Sequence, residues 1–289
     1  MIRIESVTKI YNKGGAGEVK ALDDVSFTVQ DGELLAITGE SGSGKSTLLN
    51  LIGALDTPTQ GKVIVDDKDI SHIKGEEAAA FRRHNLGFVF QGFYLEEDFS
   101  VLVNVEIPLM LQGIGKEERR GRALKALEEM GLKEKAEVPV TQLSGGQKQR
   151  VCIARALVGG AGLILADEPT GNLDAQNTVK VMEILKEISK TKLVVLVTHE
   201  LTLIKNYADS YIEIVDGQIM KDSKLGDAIA YNTEVNNIYV DETSARELSD
   251  GKLSIELYGE PVSVKDAIQI INDNGSLYIK AGKNVTVLD

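Results

Sequence analysis

The octapeptide Gly39-Glu-Ser-Gly-Ser-Gly-Lys45-Ser46 fits the pattern G-x-x-x-x-G-K-[ST], and no other stretch constrains the fold of this chain as tightly. It follows the apolar run Leu34–Thr38 and precedes Thr47-Leu-Leu-Asn-Leu-Ile, which reads as a helix. Strand, glycine-rich turn and helix in that order put free backbone N–H groups at a helix N-terminus, a ready site for anions. Glycines let the backbone wrap closely around phosphate. Lys45 is expected to reach the β- and γ-phosphates of a nucleotide, and the Ser46 hydroxyl to ligate Mg2+. A ligand-free glycine turn is the competing reading; the strand and helix on either side argue against it.

The rest of the chain supplies a matching frame. Leu34–Thr38, Leu163–Ala166 and Leu193–Val197 are short, unbroken apolar runs, as expected of parallel strands covered by helices on both faces. Val181, Ile184, Leu185 and Ile188 fall on one face of a helix, and Leu124, Leu127 and Met130 on another that stops at Gly131. Val25, Phe27 and Val29 alternate with polar residues and, with Gly61–Asp69, predict a small antiparallel sheet. Tyr211–Val215, Asp216-Gly217 and Gln218–Met220 read as a hairpin. The texture changes after about residue 222. Residues 223–289 hold eleven acidic and six basic residues, with expected strands at Asn237–Val240, Lys252–Leu257, Leu277–Ile279 and Asn284–Leu288 and a helix at Ser263–Asp273. That pattern predicts a small α+β extension on a main domain spanning 1–222.

Two further motifs carry chemistry. Leu163-Ile-Leu-Ala-Asp167-Glu168 is an apolar strand ending in two carboxylates, at the sheet edge where ligands bind in open α/β folds. Asp167 suits the Mg2+ shell, and Glu168 suits orienting an attacking water or accepting its proton. In Leu143-Ser-Gly-Gly-Gln147, Ser144, Gly145 and Gly146 open a second helical stretch, again at an N-terminus suited to phosphate.

Together these motifs resemble the nucleotide-binding domain of ATP-binding-cassette (ABC) proteins, over about residues 1–222. The resemblance implies an α/β P-loop NTPase cassette with a mixed, mainly parallel core sheet, an antiparallel β subdomain and a helical subdomain. It implies ATP and Mg2+ as ligands, with Gly39, Ser41, Gly42, Gly44, Lys45, Ser46 and Thr47 around the phosphates and Tyr11 stacked on adenine. Gln91, after Leu86-Gly-Phe-Val-Phe, matches the glutamine that senses Mg2+ and γ-phosphate. Asn172-Leu-Asp174 matches the D-loop, and His199 the switch histidine. Ser144, Gly146 and Gln147 then meet the ATP held by another subunit, a second copy or a paralogous cassette, in a head-to-tail dimer. Catalysis is assigned on this basis to Glu168, His199, Gln91 and Lys45, and Mg2+ to Ser46, Gln91 and Asp167.

Gly53-Ala-Leu-Asp-Thr-Pro-Thr-Gln-Gly61 and Asn104-Val-Glu-Ile-Pro-Leu109 are similar to the subgroup of macrolide exporters, lipoprotein-releasing ATPases and antimicrobial-peptide resistance transporters. That resemblance implies an integral membrane permease as partner, facing Gly92–Leu111, and a peripheral place at the cytoplasmic face of the cell membrane. The apolar runs fall far short of the roughly 18–20 residues of a spanning helix, so the spans are expected on another chain. A formal net charge of -12 argues against nucleic acid as a partner. Regulation of envelope enzymes through a non-transporting membrane partner is an alternative within the same chemistry. A soluble P-loop kinase is a remoter one, since a kinase has no use for Leu143–Gln147. His72 and His84 have no companion ligands and read as surface residues, and Cys152 as a small packed hydrophobe.

Overall fold

The computed structural model describes residues 1–224 and, beyond them, the backbone of six strands between Ala245 and Leu288. The chain opens with β1 (Ile2–Tyr11), β2 (Val19–Val29) and β3 (Leu34–Thr38), then α1 (Lys45–Ile52). β4 (Gln60–Val65), β5 (Lys68–Asp69), α2 (Gly75–Asn85) and β6 (Leu86–Phe90) follow. Three helices come next, α3 (Val101–Leu111), α4 (Lys116–Glu129) and α5 (Gly145–Val158). The chain then alternates through β7 (Leu163–Asp167), α6 (Ala175–Ser189), β8 (Leu193–Val197) and α7 (Leu201–Tyr207), and ends this part in β9 (Ser210–Val215) and β10 (Gln218–Lys224).

Two sheets result. β2-β1-β4-β5 is antiparallel throughout, as the alternation at Val25–Val29 predicts. β10-β9-β3-β8-β7-β6 is parallel except for the edge strand β10. Alternate residues of its central strands enter different cores. Leu34, Ala36, Ile164, Ala166, Val194 and Leu196 join a core with α3, α4, α5 and α6. Leu35, Ile37, Leu163, Leu165, Val195 and Val197 join one with α1 and the antiparallel sheet. Burial on both faces is why these strands read as unbroken apolar runs. Every strand of the parallel set ends on the same edge, and that edge receives the phosphate loop, Gln91, Asp167-Glu168 and His199, while the Ser144 turn opens α5.

The chain divides into two compact units, Met1–Asp227 and Ala228–Asp289. In the second, β11 (Ala245–Glu247), β12 (Leu253–Leu257) and β13 (Glu260–Val262) form one antiparallel sheet. β14 (Ala267–Asp273), β15 (Ser276–Ala281) and β16 (Asn284–Leu288) form another. The helix expected at Ser263–Asp273 is corrected here, because Ala267–Asp273 is a strand. Ile268, Ile270 and Ile271 are β-branched and favour a pleated surface. The pair that separates β14 from β15 is Asn274-Gly275, a strong hairpin signal in sequence. The expected strand Asn237–Val240 lies outside the described residues.

Candidate functional site

β3 ends at Thr38 and the chain turns through residues 39–44 into α1. Gly39 has φ 141, and a Cβ there would lie 2.1 Å from the Ile214 carbonyl oxygen, so no other residue fits this turn. Gly44 is the N-cap of α1, and no side chain caps the helix. The N–H groups of its first turn, at Lys45, Ser46 and Thr47, therefore remain available to an anion. Lys45 Nζ donates to the carbonyls of Gly39 (2.8 Å) and Glu40 (2.7 Å). Ser41 is exposed. Ser43, which the motif reading passes over, is buried, and its Oγ has no partner among the described residues.

Gly42, Gly44, Lys45, Ser46 and Thr47 line an open cleft of about 310 Å3. The opposite wall is Val19–Ala21 of β2 and the Asp216-Gly217 turn between β9 and β10. That turn is sewn to the loop: Gly217 N donates to the Ser43 carbonyl (3.0 Å), and Asp23 N to the Gly217 carbonyl (2.8 Å). Sequence alone identifies Asp216-Gly217 as a hairpin turn but gives no sign of what it faces. Tyr11, at the end of β1, is half-buried, and its hydroxyl donates to Asp56 Oδ2 (3.0 Å).

β7 delivers Asp167 and Glu168 to the sheet edge. Burial raises the Asp167 carboxyl above the usual range, the neighbouring Glu168 charge raises it further, and Lys45 pulls it down. Glu168 has φ 46, a left-handed conformation costly for a residue with a side chain. Its N–H donates to the Val197 carbonyl (2.9 Å), which fastens it to β8. Glu168 Oε1 contacts His199 Nδ1 at 2.8 Å, while Oε2 is buried without a partner among the described residues. The hydrogen bond to Glu168 raises the His199 pKa, its charge adds to this, and burial opposes both. The His199 side chain is 70% exposed against 19% for Glu168, so the pair bridges the protein interior and the open edge.

Ser46, Asp167 and Gln91 offer oxygen donors, the chemistry that suits Mg2+. No cluster of three or more His, Cys, Asp or Glu able to hold a metal occurs among the described residues. A single carboxylate working with substrate phosphates is the usual Mg2+ arrangement, and the donors fit it. Gln91 lies against Gly171, where a Cβ would stand 2.6 Å from Gln91 Nε2, and Asn172 Nδ2 donates to the Gln91 carbonyl (2.9 Å).

Ser144 caps α5 through a capping box: its Oγ accepts from Gln147 N (3.4 Å), and Gln147 Oε1 accepts from Ser144 N (3.0 Å). Asp174 caps α6, accepting from Asn177 N (2.9 Å) and Nδ2 (2.7 Å). A Cβ on Gly146 would lie 2.1 Å from Asn177 Oδ1, so the two caps meet. Ser144, Gln147 and Asp174 thus lie together around the buried Gly146, and none of the four lines the cleft around Lys45. His72 and His84 are exposed, and Cys152 is buried.

Comparison with known proteins gives a consistent result. A family model described as "ABC transporter" matches residues 22–171. The macrolide export ATP-binding/permease protein MacB 1 of Yersinia pestis is 45% identical over 224 residues, which are 77% of this chain and 34% of that protein. The chain therefore spans about a third of the length of these relatives. The uncharacterized ABC transporter ATP-binding protein YvrO of Bacillus subtilis is 44% identical over 225 residues, 78% of this chain and 97% of that one. A solved dimeric ATP-binding cassette in a post-hydrolysis state, bound to ADP and Pi, is 41% identical, covers 78% of this chain and 99% of its own, and superposes with a TM-score of 0.71. With the phosphate loop, the paired carboxylates and the capped Ser144 turn all in place, the chain belongs to the ABC transporter family, as an ATP-binding cassette.

Proposed function

We propose that this chain binds and hydrolyses ATP as the motor subunit of an export or mechanotransducing complex, and drives a separate membrane permease by dimerising around ATP. The observation that carries this reading is Glu168, held in a strained backbone beside Asp167, with one oxygen on His199 and the other buried and unpaired.

The phosphates bind at the first turn of α1, where Lys45 exchanges its bonds to the Gly39 and Glu40 carbonyls for phosphate oxygens. Mg2+, held by Ser46, Asp167 and Gln91, offsets phosphate charge when bound. Glu168 Oε2 orients water and takes its proton as the new P–O bond forms and the bond to the leaving ADP breaks. His199 spends Nδ1 on Glu168 and has Nε2 left for the γ-phosphate. The trans contact comes from Ser144, Gly146 and Gln147 of a second copy or a paralogous cassette.

A permease fits the face beyond Gln91. Tyr94 is 72% exposed and meets edge-on the ring of Phe90, which lines a cleft of about 290 Å3 with Phe88, Ile107, Pro108, Arg83 and Arg155; Phe99 is exposed too. Glu96, Glu97 and Asp98 are exposed and make the segment after Tyr94 acidic, so a basic partner segment suits it. Reversing these charges should weaken co-purification with the permease; unchanged complex formation would sink that part. The chain would then sit peripherally at the cytoplasmic face, and among the described residues no helix is long and apolar enough to cross a membrane. Residues 223–289 are assigned to regulation or dimer stabilisation.

The deciding experiment is Glu168→Gln. Steady-state ATPase should fall at least about a hundredfold, the usual scale for a lost general base, while light scattering shows dimers with ATP. Unchanged turnover would overturn the role of Glu168, and a strict monomer with ATP would overturn the sandwich.

A further inference from the structure

We propose that Lys9 and Asp56 act as positioning residues that lock the Tyr11 ring into one orientation and fix it relative to α1, the helix that follows the phosphate loop. The ring then serves as a preset platform for the base of a purine nucleoside triphosphate. The inference rests on the nucleotide reading above and deepens it.

A tyrosine at the end of a strand has two side-chain torsions to settle, and a base gains little from stacking on a ring it must first immobilise. Here the ring is held at two points, its hydroxyl and one face. Its hydroxyl donates to Asp56 Oδ2 (3.0 Å). Asp56 Oδ1 accepts from Lys9 Nζ (2.6 Å) and from Thr57 N (2.7 Å), and Lys9 donates again to the Thr57 carbonyl (2.8 Å). Lys9 Nζ also stands 4.8 Å from the centroid of the Tyr11 ring. Asp56 is itself anchored to α1, because Leu55 N and Asp56 N donate to the Asn50 carbonyl at 2.9 and 3.3 Å. The helix that offers N–H groups to phosphate therefore also sets the ring.

Two features argue that this network does more than pack a strand end. Lys9 is only 9% exposed, and a buried ammonium is costly where an apolar side chain would serve packing alone. Its charge also occupies one face of the ring, which restricts a base to the other. Every base has a π-face, so the platform fixes where a base lies and selects weakly between adenine and guanine.

The test uses the full chain. KM and kcat for ATP and GTP, the inhibition constant of inorganic tripolyphosphate, and thermal unfolding are measured for wild type, Asp56→Ala, Lys9→Met, Tyr11→Phe, Tyr11→Ala and the Tyr11→Phe/Asp56→Ala double variant. Loosening the platform should raise KM for both nucleotides about three- to tenfold, a fraction of the stacking energy, with the change in KM and not in kcat. Tripolyphosphate has no base, so its inhibition constant should stay put. Tyr11→Phe and Asp56→Ala break the same bond, so the double variant should be no worse than the worse single. If Asp56→Ala does not fold, Asp56→Asn keeps the shape, removes the charge and is read in its place. An unchanged KM in the Asp56 variant, or in Tyr11→Ala, overturns the inference. So does a tripolyphosphate constant that rises with KM, because the network would then serve only the phosphate loop. Absence of any nucleotide hydrolysis by the wild type would instead overturn the nucleotide reading itself.

Discussion

Glu168 shows what a single residue has to tolerate at this edge. Its φ of 46 is held because the N–H is tied to Val197 and the carboxylate to His199. Strain kept by its surroundings is a common mark of sites that must present a group in one direction. Gly146 has the opposite constraint, since it must carry nothing. Adding a Cβ forces it into Asn177, whose amide is fixed to Asp174. Gly146→Ala should therefore lower nucleotide-driven dimerisation and ATPase about tenfold, the scale of moderate overpacking at a contact. Asn177→Ala in the same chain should restore part of it, and a double variant as impaired as the single would show that the clash is not the cause. Asp56 gives a pH signature. Burial pushes its carboxyl up, but hydrogen bonds from Lys9, Thr57 N and Tyr11 outweigh this and hold it below the usual range. A depressed folded pKa contributes stability that is present above the unfolded value, about pH 4, and is lost as pH falls through the folded one. Thermal unfolding against pH should show a shallower acid limb for Asp56→Asn than for wild type, and parallel curves would rule the contribution out.

At the scale of the element, α5 joins two loops. Its N-terminus holds the Ser144 turn, and its flank grips the backbone after β6. Gln149 donates to the Phe90 carbonyl (3.3 Å), Cys152 to that of Phe93 (3.1 Å), and Arg155 to those of Phe93 (2.9 Å) and Tyr94 (2.5 Å). The segment after Gln91 and the Ser144 turn are thus fastened to the same helix. Arg155→Met should speed amide hydrogen exchange in residues 91–95 several-fold without lowering the melting temperature by more than about 2–4 °C, the shift for roughly 1 kcal/mol in a unit of this size. Unchanged exchange there would mean that the remaining bonds suffice. How far such elements can be read in advance depends on how local their causes are. β3, β7 and β8 were legible because burial on both faces leaves an unbroken apolar run, and the phosphate loop because its glycines and lysine sit in one octapeptide. Ala267–Asp273 was not, since Val264, Ile268 and Ile271 also fit helical spacing and only strand pairing decides for β14. The Lys9–Asp56 pair and the Asp216-Gly217 wall of the cleft were hidden for another reason. They join residues far apart in sequence, and no short pattern encodes such a contact.

At the scale of the whole molecule, one chain does not bring the phosphate cleft and the Ser144–Asp174 cluster together, and in the proposed dimer they would be the two halves of one site. The proposed dimer joins them head to tail, so each composite site takes its loop from one chain and its Ser144 turn from the other. This geometry makes a prediction that no single-chain site shares. A Lys45→Ala chain has a dead loop and an intact turn, and a Ser144→Arg chain the reverse. Any dimer that either forms alone has both sites spoiled, so each should be inactive. A mixed dimer has one site with both defects and one with none. With random pairing at equal concentrations, half the dimers are mixed and each keeps one of two sites, so the mixture should recover about a quarter of the wild-type ATPase rate per chain. Activity should peak at equal mixing and fall to either side. A mixture that stays as inactive as its parts at every ratio, while the two chains form mixed dimers, would overturn independently acting composite sites across a shared interface.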